Sequence, residues 1–116
     1  MSQPASAKEI VFSLKDRFRP EKAEPGYEAI FHLKISGERG GQFTVSIQDG
    51  TIDVKEGLEG NATCEISASD STYEDVEWGR TNPQMAFMFG KVKVSDIGSM
   101  LDFAGLFHRC EDFYKN

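Results

Sequence analysis

Apolar residues first recur at helical spacing. Ala7, Ile10, Val11, Leu14 and Phe18 share one side of a 3.6-residue wheel, with Lys8, Glu9, Lys15, Asp16, Arg17 and Arg19 elsewhere, a pattern that predicts an amphipathic helix. Pro20 ends it, since proline lacks the donor that the next turn needs. The prolines and glycine of Arg19 to Gly26 read as a connecting loop, and residues 1–6 as a disordered leader. The period then changes to two. Tyr27, Ala29, Phe31, Leu33 and Ile35 alternate with Glu28, Ile30, His32 and Lys34; after a Gly37–Gly41 turn, Phe43, Val45 and Ile47 alternate with Gln42, Thr44, Ser46 and Gln48. Asp49-Gly50 is a hairpin signal leading into Ile52 and Val54, and beyond a second glycine loop Ala62, Cys64, Ile66 and Ala68 make a fourth strand.

Four strands with one apolar face each need a cover, and the second half of the chain supplies it. Ser71 to Glu74 fits a capping box that opens a short helix, with Tyr73, Val76 and Trp78 inward and Gly79 at its end. Asn82-Pro83 pairs an N-cap with proline at the first helical position, so a helix runs from there to a stop at Gly90. Lys91 to Val94 alternate as a fifth strand. Asp96 then caps a last helix whose Ile97, Met100, Leu101, Ala104 and Phe107 recur at helical spacing. The stretch Met85 to Phe89 has no polar side chain, and consecutive residues lie about 100° apart on a helix. These five cannot all face one core.

Composition narrows the function. A chain of 116 residues supports one domain, here residues 7–110, with 111–116 as a tail. Nineteen acids against thirteen bases, a net charge of −6, oppose a broad phosphate-binding surface, so no nucleic acid partner is expected. No apolar stretch approaches the roughly 18 residues of a membrane span, and the N-terminus lacks the basic-then-apolar order of a signal peptide. A cytoplasmic protein is expected. Cys64 and Cys110 are too far apart for a CxxC motif and read as reduced thiols.

Local chemistry is sparse. The chain has no GxSxG, no HExxH and no EF-hand spacing, and its glycine cluster at Gly37–Gly41 joins two strands instead of leading into a helix. No cofactor, metal or catalytic residue is therefore expected. His32, on the wet strand face, and His108, near the end of the last helix, both read as surface histidines. The conspicuous feature is apolar: Trp78, Phe87, Phe103, Phe107, Phe113 and every methionine but the initiator crowd the C-terminal part. Such side chains suit a well-filled core or a ligand cavity with irregular walls.

The motif N-P-x-x-A-F-M-x-G-K-V-K-V from Asn82 to Val94, followed by Asp96 and a helix into Leu106-Phe107, resembles the signature of the sterol carrier protein type 2 domain. The hairpin from Gly40 to Gly50 and the segment from Ala62 to Gly79 are similar to that family's as well, so that the resemblance runs from Ile10 to about Cys110. It implies an α+β fold with a five-stranded mixed sheet, ordered 3-2-1-4-5, helices over one face, and a lipid tunnel between the layers. It also implies a non-catalytic carrier of a fatty acid, fatty acyl-CoA, sterol or phospholipid, in transient membrane contact and either monomeric or weakly dimeric. Two departures stand out: the chain ends Tyr114-Lys115-Asn116 where many members carry a peroxisomal tripeptide, and Ser95 stands where a glycine is common.

On this reading, candidate ligand-binding residues are Phe31 and Leu33 on the sheet and Trp78, Met85, Met88, Phe89, Met100, Leu101, Phe103, Ala104 and Phe107 on the helices. Phe87, Phe43 and Val45 complete the two walls. Met85, Phe89, Met100 and Phe103 stand foremost for ligand contact, whereas Phe31, Leu33, Val45 and Ile66 also suit plain core. At about 0.8 kcal/mol per methylene, a chain of some 14 carbons gives roughly 11 kcal/mol of gross transfer energy. The alternative is a protein–protein interaction or dimerisation domain with a collapsed cavity, including an accessory module of a larger enzyme.

Overall fold

In the computed structural model, which describes residues 3–114, the central strand β1 (Glu28–Ser36) is paired on both sides. Its antiparallel neighbour is β2 (Gly41–Gln48), which pairs in turn with β3 (Thr51–Glu56). On the other side β4 (Cys64–Ser69) runs parallel to β1, and β5 (Val92–Val94) closes that edge antiparallel. The order is β3-β2-β1-β4-β5, the mixed sheet expected from the sequence. Register puts Val54, Val45, Phe31 and Cys64 in one row, and Phe43, Leu33, Ile66 and Val94 in the next. The side-chain period of two then directs each row to the same face.

Helix α1 (Ala7–Arg17) covers that face with Ala7, Val11 and Leu14, which join Phe31, Leu33, Phe43 and Val45 in a fully buried cluster. The second half of the chain adds α2 (Asp70–Glu77), α3 (Pro83–Met88), α4 (Ile97–Ala104) and the one-turn α5 (Cys110–Phe113). Asn82 and Asp96 cap α3 and α4 as expected: Asn82 accepts from the Gln84 and Met85 amides, and Asp96 from that of Ser99. Ser95 extends the β4–β5 pairing, because its hydroxyl accepts from the Glu65 amide at 2.8 Å.

Several expectations are corrected. Of the leader, residues 1–2 lie outside the described residues, while residues 3–6 are held: Pro4 is buried and Ser6 forms a capping box with Glu9. Helix α2 is capped by Ser69, not Ser71, because β4 runs directly into it. The expected box partner Glu74 is buried instead, accepting from the Ala7 amide at 2.8 Å and from Arg39 Nε at 2.9 Å. The last long helix stops at Ala104; Leu106 and Phe107 turn back so that Phe107 bridges to Phe18 and the Arg19 amide donates to Leu106 O. Of the tail, Glu111 to Phe113 belong to α5 and residues 115–116 lie outside the described residues.

His32 is buried, not on the wet surface. Thr44 Oγ1 donates to Gly57 O at 2.7 Å and accepts from the Glu59 amide at 3.0 Å, which folds the second glycine loop over the outer face of the sheet. His32 Nε2 lies 2.9 Å from Glu59 O beneath it. His108 is exposed, as expected.

Gly37 in the β1–β2 turn has φ +101°, and the Asp70 carboxylate occupies the space where a Cβ would sit. Asp70 is held there by the Arg39 amide at 3.1 Å and the Arg39 guanidinium at 3.6 Å. Gly37→Ala is therefore expected to lower unfolding stability at neutral pH by about 1–3 kcal/mol of backbone strain. It also displaces Asp70, whose pKa is lowered chiefly by the Arg39 backbone N–H. A lowered carboxylate contributes stability above its unfolded value and loses it as pH falls through the folded one. The wild-type advantage over Gly37→Ala in urea should narrow as pH drops below the ordinary aspartate range.

Candidate functional site

Helix α1 spans the β1–β3 side of the sheet; the apolar face of β4 and β5 is roofed by shorter pieces. A cavity of about 320 Å³ lies under that roof. Its floor is Ile66 and Ala68 of β4 with Val92 of β5. Leu14 and Arg17 close it from α1, Tyr73, Val76 and Glu77 from α2, Pro83 and Phe87 from α3. Met100, Phe103 and Ala104 of α4 and Phe107 of the following turn complete the wall, with His108 and Arg109 beyond them. Short helices leave such a space because six or eight residues cannot present the continuous stripe with which α1 fills its half.

One wall is polar yet internally neutral. Arg17 is 1% exposed, and its guanidinium donates to Ser13 Oγ at 3.0 Å, to His108 O at 3.0 Å, to Ile10 O at 3.3 Å and to Glu77 Oε2 at 3.2 Å. Tyr73 Oη donates to the same Glu77 oxygen at 2.7 Å. Burial pulls the Arg17 pKa down, but Glu77, Tyr73 and Cys110 together outweigh it and the net shift is upward. Burial, and then Glu77, raise the Tyr73 phenol well above its ordinary value. A charge taken out of water is tolerable only when paired and hydrogen-bonded, and this one is both.

The structure brings together five of the residues proposed from sequence: Phe87, Met100, Phe103, Ala104 and Phe107 line the cavity. Phe31 lies behind it, fully buried, with its ring 4.3 Å from that of Phe103, and Leu33 sits in the core under α1. Trp78 is elsewhere: it ends α2 and donates from Nε1 to Pro4 O at 3.0 Å, so that it secures the N-terminal segment. Met85, Met88, Phe89 and Leu101 point outward, at 47%, 76%, 69% and 59% exposure. Phe87 fills the place on α3 that Met85 and Phe89 were expected to take. Arg17 and Glu77 were missed because a charged residue on a helix wheel reads as solvated, whereas Tyr73 was read as inward-facing but not as part of the site. The available signal was their spacing, since Tyr73 and Glu77 are i and i+4 on one helix face.

A sheet of this order, roofed by helices on one face, matches the fold that the Asn82–Val94 motif implies. The profile of the SCP-2 sterol transfer family matches residues 7–108. This chain belongs to that family. Among solved structures, sterol carrier protein 2 like 2 from Aedes aegypti superposes with a TM-score of 0.64 at 16% identity, over 84% of this chain and 91% of that one. A solution structure of the palmitated protein from the same mosquito gives 0.65 at 18% identity, over 90% and 97%. The sec-alkylsulfatase of a Pseudomonas species gives 0.73 at 17% identity over 85% of this chain, which spans only 16% of the sulfatase. The SCP-2 fold is therefore found both as a near-complete protein and as a part of a larger enzyme.

Within this SCP-2 domain, Arg17→Ala is expected to cost about 3–5 kcal/mol, since it strands Glu77. Arg17→Met combined with Glu77→Leu should recover part of that loss, as urea unfolding of the two variants would show. Cys64 and Cys110 are free and buried, and burial, opposed by the charge of Arg17, pushes the Cys110 thiol up to about 11. At pH 8 about one Cys110 in a thousand is then thiolate, so iodoacetamide should leave Cys110 unmodified in the folded protein and label it once urea unfolds the chain.

Proposed function

We propose that this protein is a lipid carrier whose cavity holds the hydrocarbon chain of one fatty acid or fatty acyl ligand. The observation that carries the reading is the cavity itself: mostly apolar walls drawn from four helices and two strands around about 320 Å³. That volume sits at the lower end of the roughly 300–1,000 Å³ of small-molecule sites and suits a single chain. Membership of the SCP-2 sterol transfer family and likeness to a protein solved in palmitated form support it. Arg17, Tyr73 and Glu77 are bonded to one another rather than presented to a reacting bond, which favours burial and release over chemistry. Affinity would come from transfer of methylenes out of water, at about 0.8 kcal/mol each before the costs of ordering.

Native mass spectrometry of the purified protein, then solvent extraction, should detect a bound chain; titration with a fluorescent fatty acid should saturate at one per protein. Met100→Trp places bulk in the cavity, and exclusion of about three methylenes at about 0.8 kcal/mol each should weaken binding about 50-fold. Leu101→Trp, on the exposed side of the same helix, should leave it unchanged. An apo protein without saturable uptake, or equal binding by both variants, sinks the carrier reading.

A further inference from the structure

We propose that the tip formed by the end of α3 and the start of β5 docks on an anionic lipid surface. Met88 and Phe89, 76% and 69% exposed, are among the most exposed large apolar side chains of the molecule. They sit where α3 stops, at Gly90 with φ +76°, on a turn that leads into the edge strand of the sheet. Two lysines follow at once. Lys91 and Lys93 are exposed, and among the described residues neither forms an ion pair, whereas Lys34 is held by Glu65 at 3.3 Å and Arg80 by Asp75 at 2.8 Å. Lys93 is in register with Ser67, and Ser67 with Lys34; together with Lys91 they line a shallow depression of about 380 Å³ on the outer face of the sheet.

Charge is segregated along the chain in the same sense. Residues 78–95 contain three bases and no acid, while the remaining residues hold ten bases against nineteen acids. An anionic surface would thus attract this edge and repel most of the rest. Protruding apolar side chains flanked by unpaired lysines suit a bilayer interface, where the rings pass the headgroups and the ammonium groups stay among them. A protein partner fits less well: stable interfaces bury about 800 Å² per partner and are depleted in lysine. The inference rests on the carrier reading for its purpose, because Phe87 and Val92, which line the cavity, neighbour the docking residues in sequence.

Sedimentation with phosphatidylcholine vesicles, with and without phosphatidylglycerol, tests it. The wild-type protein is expected to bind the anionic vesicles and to be released by salt. Lys91→Gln with Lys93→Gln should weaken binding about 30-fold, and Phe89→Ser about tenfold or more. Equal binding to both vesicle types, no binding, or indifference to both variants overturns the proposal. So does a concentration-dependent dimer, abolished by Phe89→Ser, in a protein that ignores vesicles; that face would then join two copies. Uptake of a fluorescent fatty acid in solution should be unchanged in these variants, since none of the three residues lines the cavity. If uptake is absent while docking behaves as stated, the carrier reading fails and the docking surface stands.

Discussion

The buried guanidinium of Arg17 is the constraint on which the C-terminal half depends. It binds Ile10 O and Ser13 Oγ of its own helix α1, the side chain of Glu77 on α2 and the carbonyl of His108 after the last turn of the roof. These elements are distant in sequence, and a desolvated cation allows few ways of satisfying its five donors. An apolar residue in its place would pack against either helix without setting their mutual position. Here the bonds set it, and the cavity is what lies between the positions so defined.

A second constraint divides the sheet. One long helix with a continuous apolar stripe fills the side over β1 to β3 and leaves no space, as the complete burial of Phe31, Phe43 and Val45 shows. Over β4 and β5 the roof is made of three helices of six to eight residues joined by turns. Each contributes one or two side chains inward and exposes others, so the same helices supply both the cavity wall and the apolar outer surface. Phe87 and Met88 are neighbours in the chain on opposite sides of that roof.

The stretch Met85 to Phe89 shows how far the site was legible. That it is a helix started by Asn82-Pro83 and stopped by Gly90 is local chemistry, read without any neighbour. That Ala86 and Phe87 turn inward while Met85, Met88 and Phe89 do not depends on how the helix is rotated against β5 and α2, and five apolar residues in a row carry no phase. The stripe read over α4 carries one only in part: Met100 and Ala104 line the cavity, as does Phe107 in the turn beyond, but Ile97 and Leu101, read in the same stripe, face solvent, and Phe103, which lay beside it, faces in.

Alternating strands, turn residues and caps determined the element order, the face that each strand buries and, through the Asn82–Val94 motif, the family. Those signals are local, since the side-chain period and the demands of φ > 0 or an orphan amide belong to a few adjacent residues. Tertiary structure decided the rest. Arg17 and His32 look solvated on a wheel or a strand and are buried because distant segments close over them: α2 and the 106–108 turn in one case, the glycine loop after β3 in the other. Burial is a property of what arrives from elsewhere in the chain, and periodicity holds no record of that.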